Sequence, residues 1–269
     1  MGIKSNNLAA VFHDFFSRSG KDAVSPYVAP PDIVTSGLIL HLDAANTNSY
    51  SGSGETWTDL SGQGNNGTRT NSTEVVYNSN GWFDWTDGPQ SVNSTQGCFT
   101  LPNDSFTLGA NFTIEVWNYY DSSSAPNQNP WGGGNLWTNS ADADWNSGSG
   151  NSNGLLFGYN SLKYRNTSGG ESTIGYSSNP TTQVWHQHVL VVNSGTATVY
   201  VDKVSVGTAS DFRTYTQSNG TLGIGIADKN GSNYRGEYLG FISNVKIYLQ
   251  ALTAAEIEQN YNALKGRYA

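Results

Sequence analysis

Residues 237–266, EYLGFISNVKIYLQALTAAEIEQNYNALKG, decide the fold, because a strand pattern passes directly into a helix pattern within them. Between Leu239 and Leu249 apolar positions outnumber polar ones, which is typical of a strand that is buried on both faces. Thr253 and Glu256 have the spacing of a capping box, so we predict that a helix begins there. Its apolar residues recur at spacings of four and three, and a glycine follows as a left-handed C-terminal cap. These residues are Ile257, Tyr261, Leu264 and Gly266.

Strand patterns also fill the chain upstream of this segment, and clusters of Gly, Asn, Ser and Pro separate them. No strand alternates regularly with a helix, which excludes a parallel βαβ fold. We therefore predict an all-β fold, a two-sheet antiparallel jelly-roll sandwich with a short C-terminal helix. The predicted strands cover residues 37–43, 72–77, 81–85, 97–101, 111–120, 154–159, 184–193, 196–207 and 221–226.

Three of these segments carry finer detail. In residues 111–120 the side chains alternate, so one face is expected in the core and the other is expected to be partly exposed. The core positions are Phe112, Ile114 and Val116, and the partly exposed positions are Thr113, Glu115 and Trp117. Asp202 and Lys203 are predicted to form the tight turn of a hairpin. The single cysteine, Cys98, lies in an apolar strand pattern and is expected to be a buried thiol.

The composition limits the classes of function. Charged residues make up 13% of the chain and the formal net charge is −8, so the surface is unsuited to neutralising phosphates and nucleic acid is excluded as a partner. No apolar run is long enough to span a bilayer, and we expect no membrane association. The N-terminus lacks the apolar segment of a signal peptide, so we expect the protein to be made in a cytoplasm.

Residues 1–35 differ from the rest of the chain and are predicted to form an N-terminal anchor, with the sandwich spanning residues 36–269. Apolar residues near the start fall at i, i+3, i+4, i+7 and i+8, on one face of a helix of about three turns. Those residues are Leu8, Val11, Phe12, Phe15 and Phe16. Pro26, Pro30 and Pro31 then favour an extended, polyproline-like arm. Because so short a helix is marginal alone, it docks either on another protein or back on its own domain.

One glycine-rich loop carries oxygen ligands at alternate positions, as in the first half of a calcium loop. They are Asp142, Asp144 and Asn146. The second half of such a loop would have Gly and Glu where this chain has Ser147 and Asn153, so a calcium site and a solvated turn are both open interpretations. His186 and His188 share one face of a predicted strand, but no third His or Cys lies nearby, which favours a strand-surface pair over a metal site.

The same loop region contains three tryptophans among glycines and amides, which offer few places to bury a ring. They are Trp131, Trp137 and Trp145. Exposed Trp faces beside Asn and Asp suit sugar stacking, and Trp is also enriched at protein interfaces. Carbohydrate binding, a protein contact such as an oligomer interface, and simple loop packing remain three alternatives.

Both ends of the chain resemble the concanavalin A-like lectin/glucanase sandwiches of the laminin-G and pentraxin kind. The segments GLILHLDAANTNSY (37–50) and TWTDLSGQGNNGT (56–68) are similar to the first strand and glycine-rich turn of that group. Residues 240–258, GFISNVKIYLQALTAAEIE, are similar to its closing strand and helix. The ending QNYNALKGRY (259–268) resembles the version found in structural proteins of tailed bacteriophages, especially those of cyanobacteria. In the middle, the family has a Phe-Asp-Gly-x-Asp-Asp-Tyr strand where this chain has FDWTDGP (83–89).

The resemblance implies a bacteriophage virion protein, whose lectin-like domain lies on the particle surface and whose residues 1–35 bind other virion proteins. A homo-oligomer is also expected. A capsid decoration or fibre protein is the first form of this hypothesis, and a tail or baseplate component is the second. A lectin for host-surface polysaccharide and a diverged glycanase are the alternatives. Glucanases of this architecture carry an E-x-D-x-E pattern on one strand, which this sequence lacks, so no enzyme activity is predicted.

Overall fold

The structure, a computed structural model, describes residues 31–85, 97–102, 108–121, 136–138, 155–157, 160–168, 170–214, 222–230, 233–237 and 240–268. In chain order the strands are β1 (Leu38–Asp43), β2 (Thr56–Trp57), β3 (Gly67–Arg69), β4 (Val76–Asn78), β5 (Trp82–Asp84), β6 (Phe99–Thr100), β7 (Asn111–Tyr120), β8 (Leu136–Thr138), β9 (Leu155–Phe157), β10 (Ser161–Arg165), β11 (Glu171–Gly175), β12 (Trp185–Asn193), β13 (Thr196–Val201), β14 (Val204–Ala209), β15 (Leu222–Ile224), β16 (Ile226–Asn230), β17 (Asn233–Glu237) and β18 (Gly240–Tyr248). Helix α1 (Ala254–Leu264) and a 3₁₀ turn (Lys265–Arg267) follow them. Among these described segments, no helix has the length and apolar character needed to cross a membrane.

The strands form two large antiparallel sheets. Sheet A has the order β14-β13-β12-β7-β18-β5-β4, and β1 also pairs with β18. Sheet B has the order β11-β10-β9-β8-β15-β6-β3-β2, while β16 and β17 form a separate hairpin. Residues 31–269 belong to one unit. The predicted antiparallel sandwich with a short C-terminal helix is therefore confirmed.

The main core lies between the inner faces of the two sheets. The predicted core positions of β7 and of the closing strand β18 are fully buried: Phe112, Ile114, Val116, Val245 and Ile247. Aromatic rings fill one end of this core, where the Phe83 centroid lies 4.8 Å from that of Trp57 and 4.5 Å from that of Phe99. Cys98 is buried, as predicted. Edge-to-face ring pairs of this kind stabilise the contact between the sheets beyond the area that they bury.

The outer face of β7 contradicts the expectation of partial exposure. Thr113 and Glu115 are fully buried, and Trp117 is 2% exposed. The reason is a second cover, because α1 and the segment before β1 pack on this face, where Val34 and Ile257 join an apolar cluster with strand residues. Alternation along one strand shows which side chains share a face, but it does not show what covers that face.

Helix α1 begins as predicted and ends differently. The Thr253 hydroxyl accepts from the Glu256 backbone N–H at 3.3 Å, and the Glu256 carboxylate accepts from the Thr253 backbone N–H at 2.8 Å, which confirms the capping box. The predicted left-handed cap at Gly266 is wrong, because Gly266 lies inside the 3₁₀ turn. That turn places Arg267 beside Asp43, and Arg267 Nη1 donates to the two carboxylate oxygens of Asp43 at 2.7 and 2.9 Å. The end of the chain is thereby fixed to β1.

One carboxylate holds the glycine-rich turn of residues 58–66 against β1. Oxygen Oδ1 of Asp59 accepts from the backbone N–H groups of His41 at 2.8 Å and Ser61 at 2.9 Å. Oxygen Oδ2 accepts from the Asn65 N–H at 3.0 Å and from the Ser61 hydroxyl at 2.7 Å. The D-L-S-G-x-G-N-N pattern therefore has a structural purpose, since its Asp satisfies N–H groups of both the turn and the strand.

Candidate functional site

The outer face of sheet A, which α1 covers in part, carries the candidate functional residues. In one row across the strands Glu115 of β7 lies opposite Lys246 of β18, and both are fully buried. Two rows further along, Tyr119 of β7 lies between Phe241 of β18 and Trp185 of β12, and all three are half-buried. We refer to these two parts as the covered half and the open half of the face.

The covered half contains a buried ion pair whose polar atoms are satisfied. Lys246 Nζ lies 2.7 Å from Glu115 Oε1 and also donates to Asn244 Oδ1 at 2.7 Å. From α1, Asn260 Nδ2 donates to Glu115 Oε2 at 2.8 Å and to the Tyr248 hydroxyl at 3.0 Å. Both side chains of the ion pair have no exposed surface. The network therefore locks α1 onto the sheet and offers no carboxylate to a substrate.

The open half is occupied by a group of half-buried aromatic side chains, which we name the outer aromatic cluster. Its members are Trp82, Tyr119, Trp185, Phe241 and Tyr268. Tyr119 and Phe241 stack across neighbouring strands with centroids 4.7 Å apart. Trp82 and Trp185 stand on strands separated by two others, about 14 Å apart at the backbone, yet their rings meet edge-to-face at 5.7 Å. The two indoles therefore lean over the stacked pair.

Tyr268 contacts aromatic rings of both halves of the face. The ring of Tyr268 lies 4.9 Å from that of Trp185 and stacks on Trp117 at 4.4 Å. On its other side Trp117 stacks with Tyr261 of α1 at 5.6 Å. The outer layer of the outer aromatic cluster thus consists of Trp82 and Trp185, which pack over Tyr119 and Phe241.

Several buried polar groups in or next to the open half lack hydrogen-bond partners among the described residues. Gln187 is fully buried on the same face of β12 as Trp185, and neither atom of its amide is paired. The indole N–H of Trp82 is also unpaired. An unsatisfied buried group costs about 1–3 kcal/mol.

His186 and His188 do not lie at the strand surface as predicted, since they are 8% and 0% exposed on the inner side of sheet A. His186 Nδ1 lies 2.6 Å from Asp202 Oδ2, and Nε2 lies 2.9 Å from the Thr181 carbonyl oxygen. Burial lowers the pKa of His186, but the hydrogen bond and charge of Asp202 outweigh it and raise the pKa above its ordinary value. The histidines therefore stabilise the fold.

The predicted hairpin turn is confirmed by φ of 47° at Asp202 and 66° at Lys203.

The other predicted site residues lie outside the described residues, apart from one. Outside them are the anchor residues Leu8, Val11, Phe12, Phe15 and Phe16, the candidate calcium ligands Asp142, Asp144 and Asn146, and the loop residues Trp131 and Trp145. Trp137 belongs to strand β8 rather than to a loop, and it pairs with Gly223 of β15. Within the part of the chain that the structure describes, no group of three or more His, Cys, Asp and Glu side chains is arranged to hold a metal ion.

Sequence reasoning missed the outer aromatic cluster, although part of its signal was present. Tyr119 alternates with the core residue Tyr120, and Phe241 alternates with Ile242, so both rings are placed on the non-core face by strand period alone. The order and register of four strands, which bring these rings to Trp82 and Trp185, cannot be read from any single strand.

Comparisons with known proteins agree with this architecture. Residues 93–258 match the laminin-G family model described as the concanavalin A-like lectin/glucanases superfamily. No curated protein matches the sequence. Domain 4 of AbnA, a GH43 extracellular arabinanase from Geobacillus stearothermophilus, in complex with arabinotriose, is similar with a TM-score of 0.57 and 16% identity, over 85% of this chain and 98% of that domain.

A second similar structure is a much longer protein. Trypanosoma rangeli sialidase in complex with sialic acid has a TM-score of 0.58 and 13% identity, over 91% of this chain but only 36% of the sialidase chain. At these identities the likeness to both structures shows a shared fold alone.

Proposed function

The chain belongs to the concanavalin A-like lectin/glucanases superfamily, and from that premise we propose that it is a non-enzymatic, lectin-like component of a bacteriophage virion. In this proposal the sandwich is displayed at the particle surface, residues 1–35 attach it to other virion proteins, and the protein forms a homo-oligomer. A capsid decoration or fibre protein is the first form of the proposal, and a tail or baseplate component is the second. The resemblance of QNYNALKGRY (259–268) to structural proteins of tailed bacteriophages supports the virion setting.

The contacts of the glutamate side chains support a role without catalytic turnover. A glycosidase needs two carboxyl groups that face one cleft at a fixed separation. Among the residues with described side chains, each glutamate has a structural partner. The pairs are Glu55 with Arg69, Glu74 with the Gly97 backbone N–H, Glu115 with Lys246, Glu256 with Thr253, and Glu258 with Lys203. These five carboxylates are engaged in contacts within the fold, which supports a role without turnover.

The observation that carries the attachment proposal is the fastening of the chain to α1 directly after the predicted arm. Asn260 Oδ1 accepts from the Val34 backbone N–H at 2.8 Å, and the Tyr248 hydroxyl donates to the Val34 carbonyl at 3.2 Å. Gln259 Nε2 donates to the Asp32 carbonyl at 2.8 Å. The Val34 side chain is buried against the outer face of sheet A. Residues upstream of this point therefore start from a firmly held position, as a tether requires.

Removal of residues 1–30 tests the attachment. A chain that starts at Pro31 keeps the Asp32 and Val34 contacts, so we expect it to melt at about the temperature of the full chain, as measured by calorimetry. We expect it to be absent from purified particles in an immunoblot. Phe12→Asp combined with Phe15→Asp in the full chain should reproduce this absence, because the charges destroy the apolar face.

Ser17→Asp, which adds the same charge opposite the predicted apolar face, is the matched control and should leave particle incorporation unchanged. Incorporation of the chain that starts at Pro31 would overturn attachment through the arm. A large drop in its melting temperature would instead assign the N-terminal residues to the core of their own domain. Release of reducing sugar ends from polysaccharide by the purified protein would overturn the non-enzymatic part of the proposal.

A second candidate function, a lectin for host-surface polysaccharide, is favoured by one specific observation. The open half of the outer face presents aromatic rings to solvent, and aromatic rings are the surfaces on which sugars stack. This function is compatible with a virion protein, and it differs from the first candidate in predicting glycan binding by the isolated chain.

A further inference from the structure

We propose that the outer aromatic cluster is a binding site for a neutral saccharide, with the indole rings of Trp82 and Trp185 as its stacking surface. This inference rests on the lectin-like part of the proposed function and gives that part its site and its class of ligand. A sugar ring has apolar C–H faces that pack on aromatic rings, and its hydroxyls hydrogen-bond to polar groups at the rim of the site.

The size of the exposed surface favours a saccharide over a protein partner. A fully buried aromatic side chain covers about 150–250 Å². The five rings of the outer aromatic cluster are all half-buried, so together they leave on the order of a few hundred Å² exposed. A stable protein interface needs about 800 Å² from each partner. The aromatic area alone is therefore smaller than one side of a stable protein interface and matches one or two sugar rings.

The charge around the cluster selects a neutral sugar. Asp84 of β5 lies in register with Phe241 of β18, so it shares the outer face with the cluster. A carboxylate at this position repels a sugar carboxylate or sulfate. The formal net charge of −8 adds to this repulsion over the whole molecule. Acidic sugars are therefore expected to bind more weakly than neutral ones.

The unpaired polar groups at the open half point to a ligand as well. The Trp82 indole N–H and the Gln187 amide are left unsatisfied by the cluster's own packing within the described residues. Folded proteins leave few such groups, and each one calls for a partner such as an ordered water. Both groups are enclosed in the structure, so a water held between them and the sugar supplies that partner.

Glycan binding by the full-length chain is the test. The probes are an array of neutral, N-acetylated and acidic oligosaccharides with arabinotriose included, followed by calorimetric titration with the strongest neutral ligand. Trp82→Ala and Trp185→Ala should each raise Kd at least about tenfold, while Trp185→Phe, which keeps a stacking ring, should retain most of the affinity. Tyr77→Ala is the matched control, because Tyr77 is a half-buried ring that packs on Phe83, away from the cluster.

Three results would overturn the proposal: binding of acidic sugars alone, no binding by the wild type at about 1 mM, or unchanged binding by both tryptophan variants. Melting temperatures of all variants separate loss of the site from loss of the fold. The particle assay is independent, because residues 1–30 are intact in these variants. If attachment through the arm fails while cluster-dependent glycan binding stands, only the virion proposal falls.

Discussion

The two halves of the outer face of sheet A are built on the same strands and differ in what closes them. In the covered half, α1 supplies Asn260 to a buried ion pair of Glu115 and Lys246, so a charged row is sealed from water. In the open half, Tyr119 and Phe241 stack on each other and remain half-buried. The comparison teaches that the length of one short helix decides which part of a strand is sealed from water and which part stays half-buried.

The largest effect is expected from breaking the covered half. Lys246→Met leaves Glu115 buried without its counter-charge and should lower the free energy of unfolding by about 3–5 kcal/mol, measured by urea denaturation. The double variant Glu115→Gln with Lys246→Met removes both charges and should recover most of that loss. Equal losses in the single and double variants would show that the uncompensated charge is not the cause.

The covered half should make the stability of the protein depend on pH, because His41 of β1 lies there in register with Lys246. Burial and the Lys246 charge, with a smaller contribution from Arg267, lower the pKa of His41 from 6.5 to about 4, against the opposing charges of Asp43 and Glu115. As pH falls through this window the unfolded chain binds the proton first, so stability decreases.

The melting temperature of the wild type should therefore fall between pH 6.5 and about 4, and that of His41→Gln should fall less steeply. His41→Gln keeps a polar side chain at this position and removes the titration. Parallel curves for the two proteins would show that His41 does not contribute to the pH dependence.

The smallest effect on stability is expected in the open half. Trp82→Ala removes a ring that is already partly in solvent and should cost about 1–2 kcal/mol, whereas Trp117→Ala removes a buried ring between two tyrosines and should cost about 3–5 kcal/mol. Denaturation of both variants checks the difference. If the two losses are equal, the open half is part of the core and its distinction from the covered half disappears.

The closing segment shows how far sequence reasoning reaches. The capping box of Thr253 and Glu256 was predicted and is present, because its two residues lie one helical turn apart and need no tertiary information. The exposure of Glu115 was predicted wrongly, because its cover includes Asn260, which lies 145 positions away. The cap at Gly266 failed for a similar reason, since the contact of Arg267 with Asp43 accompanies a continued turn.

The candidate site was less predictable than the fold. In the sequence, the strand residues of the outer aromatic cluster look like ordinary aromatic residues of a β-strand. Tryptophans in a glycine-rich loop are more unusual and are more readily predicted to be binding residues. The cluster exists only because strand order brings Trp82, Tyr119, Trp185 and Phe241 together from separate parts of the chain. Register between distant strands is a property of the assembled sheet, and a single strand pattern does not contain it.

The fastening of Asp32 and Val34 to α1 has a mechanical consequence for a protein tethered by its N-terminus. Tension that enters the sandwich is received first by side chains of the helix, Gln259 and Asn260, rather than by the backbone ladder of either sheet. Because Asn260 also binds Glu115, lifting the helix would admit water to a buried pair of charges. The contacts of Asp32 and Val34 with α1 and with Tyr248 of β18 must therefore break before tension reaches β1.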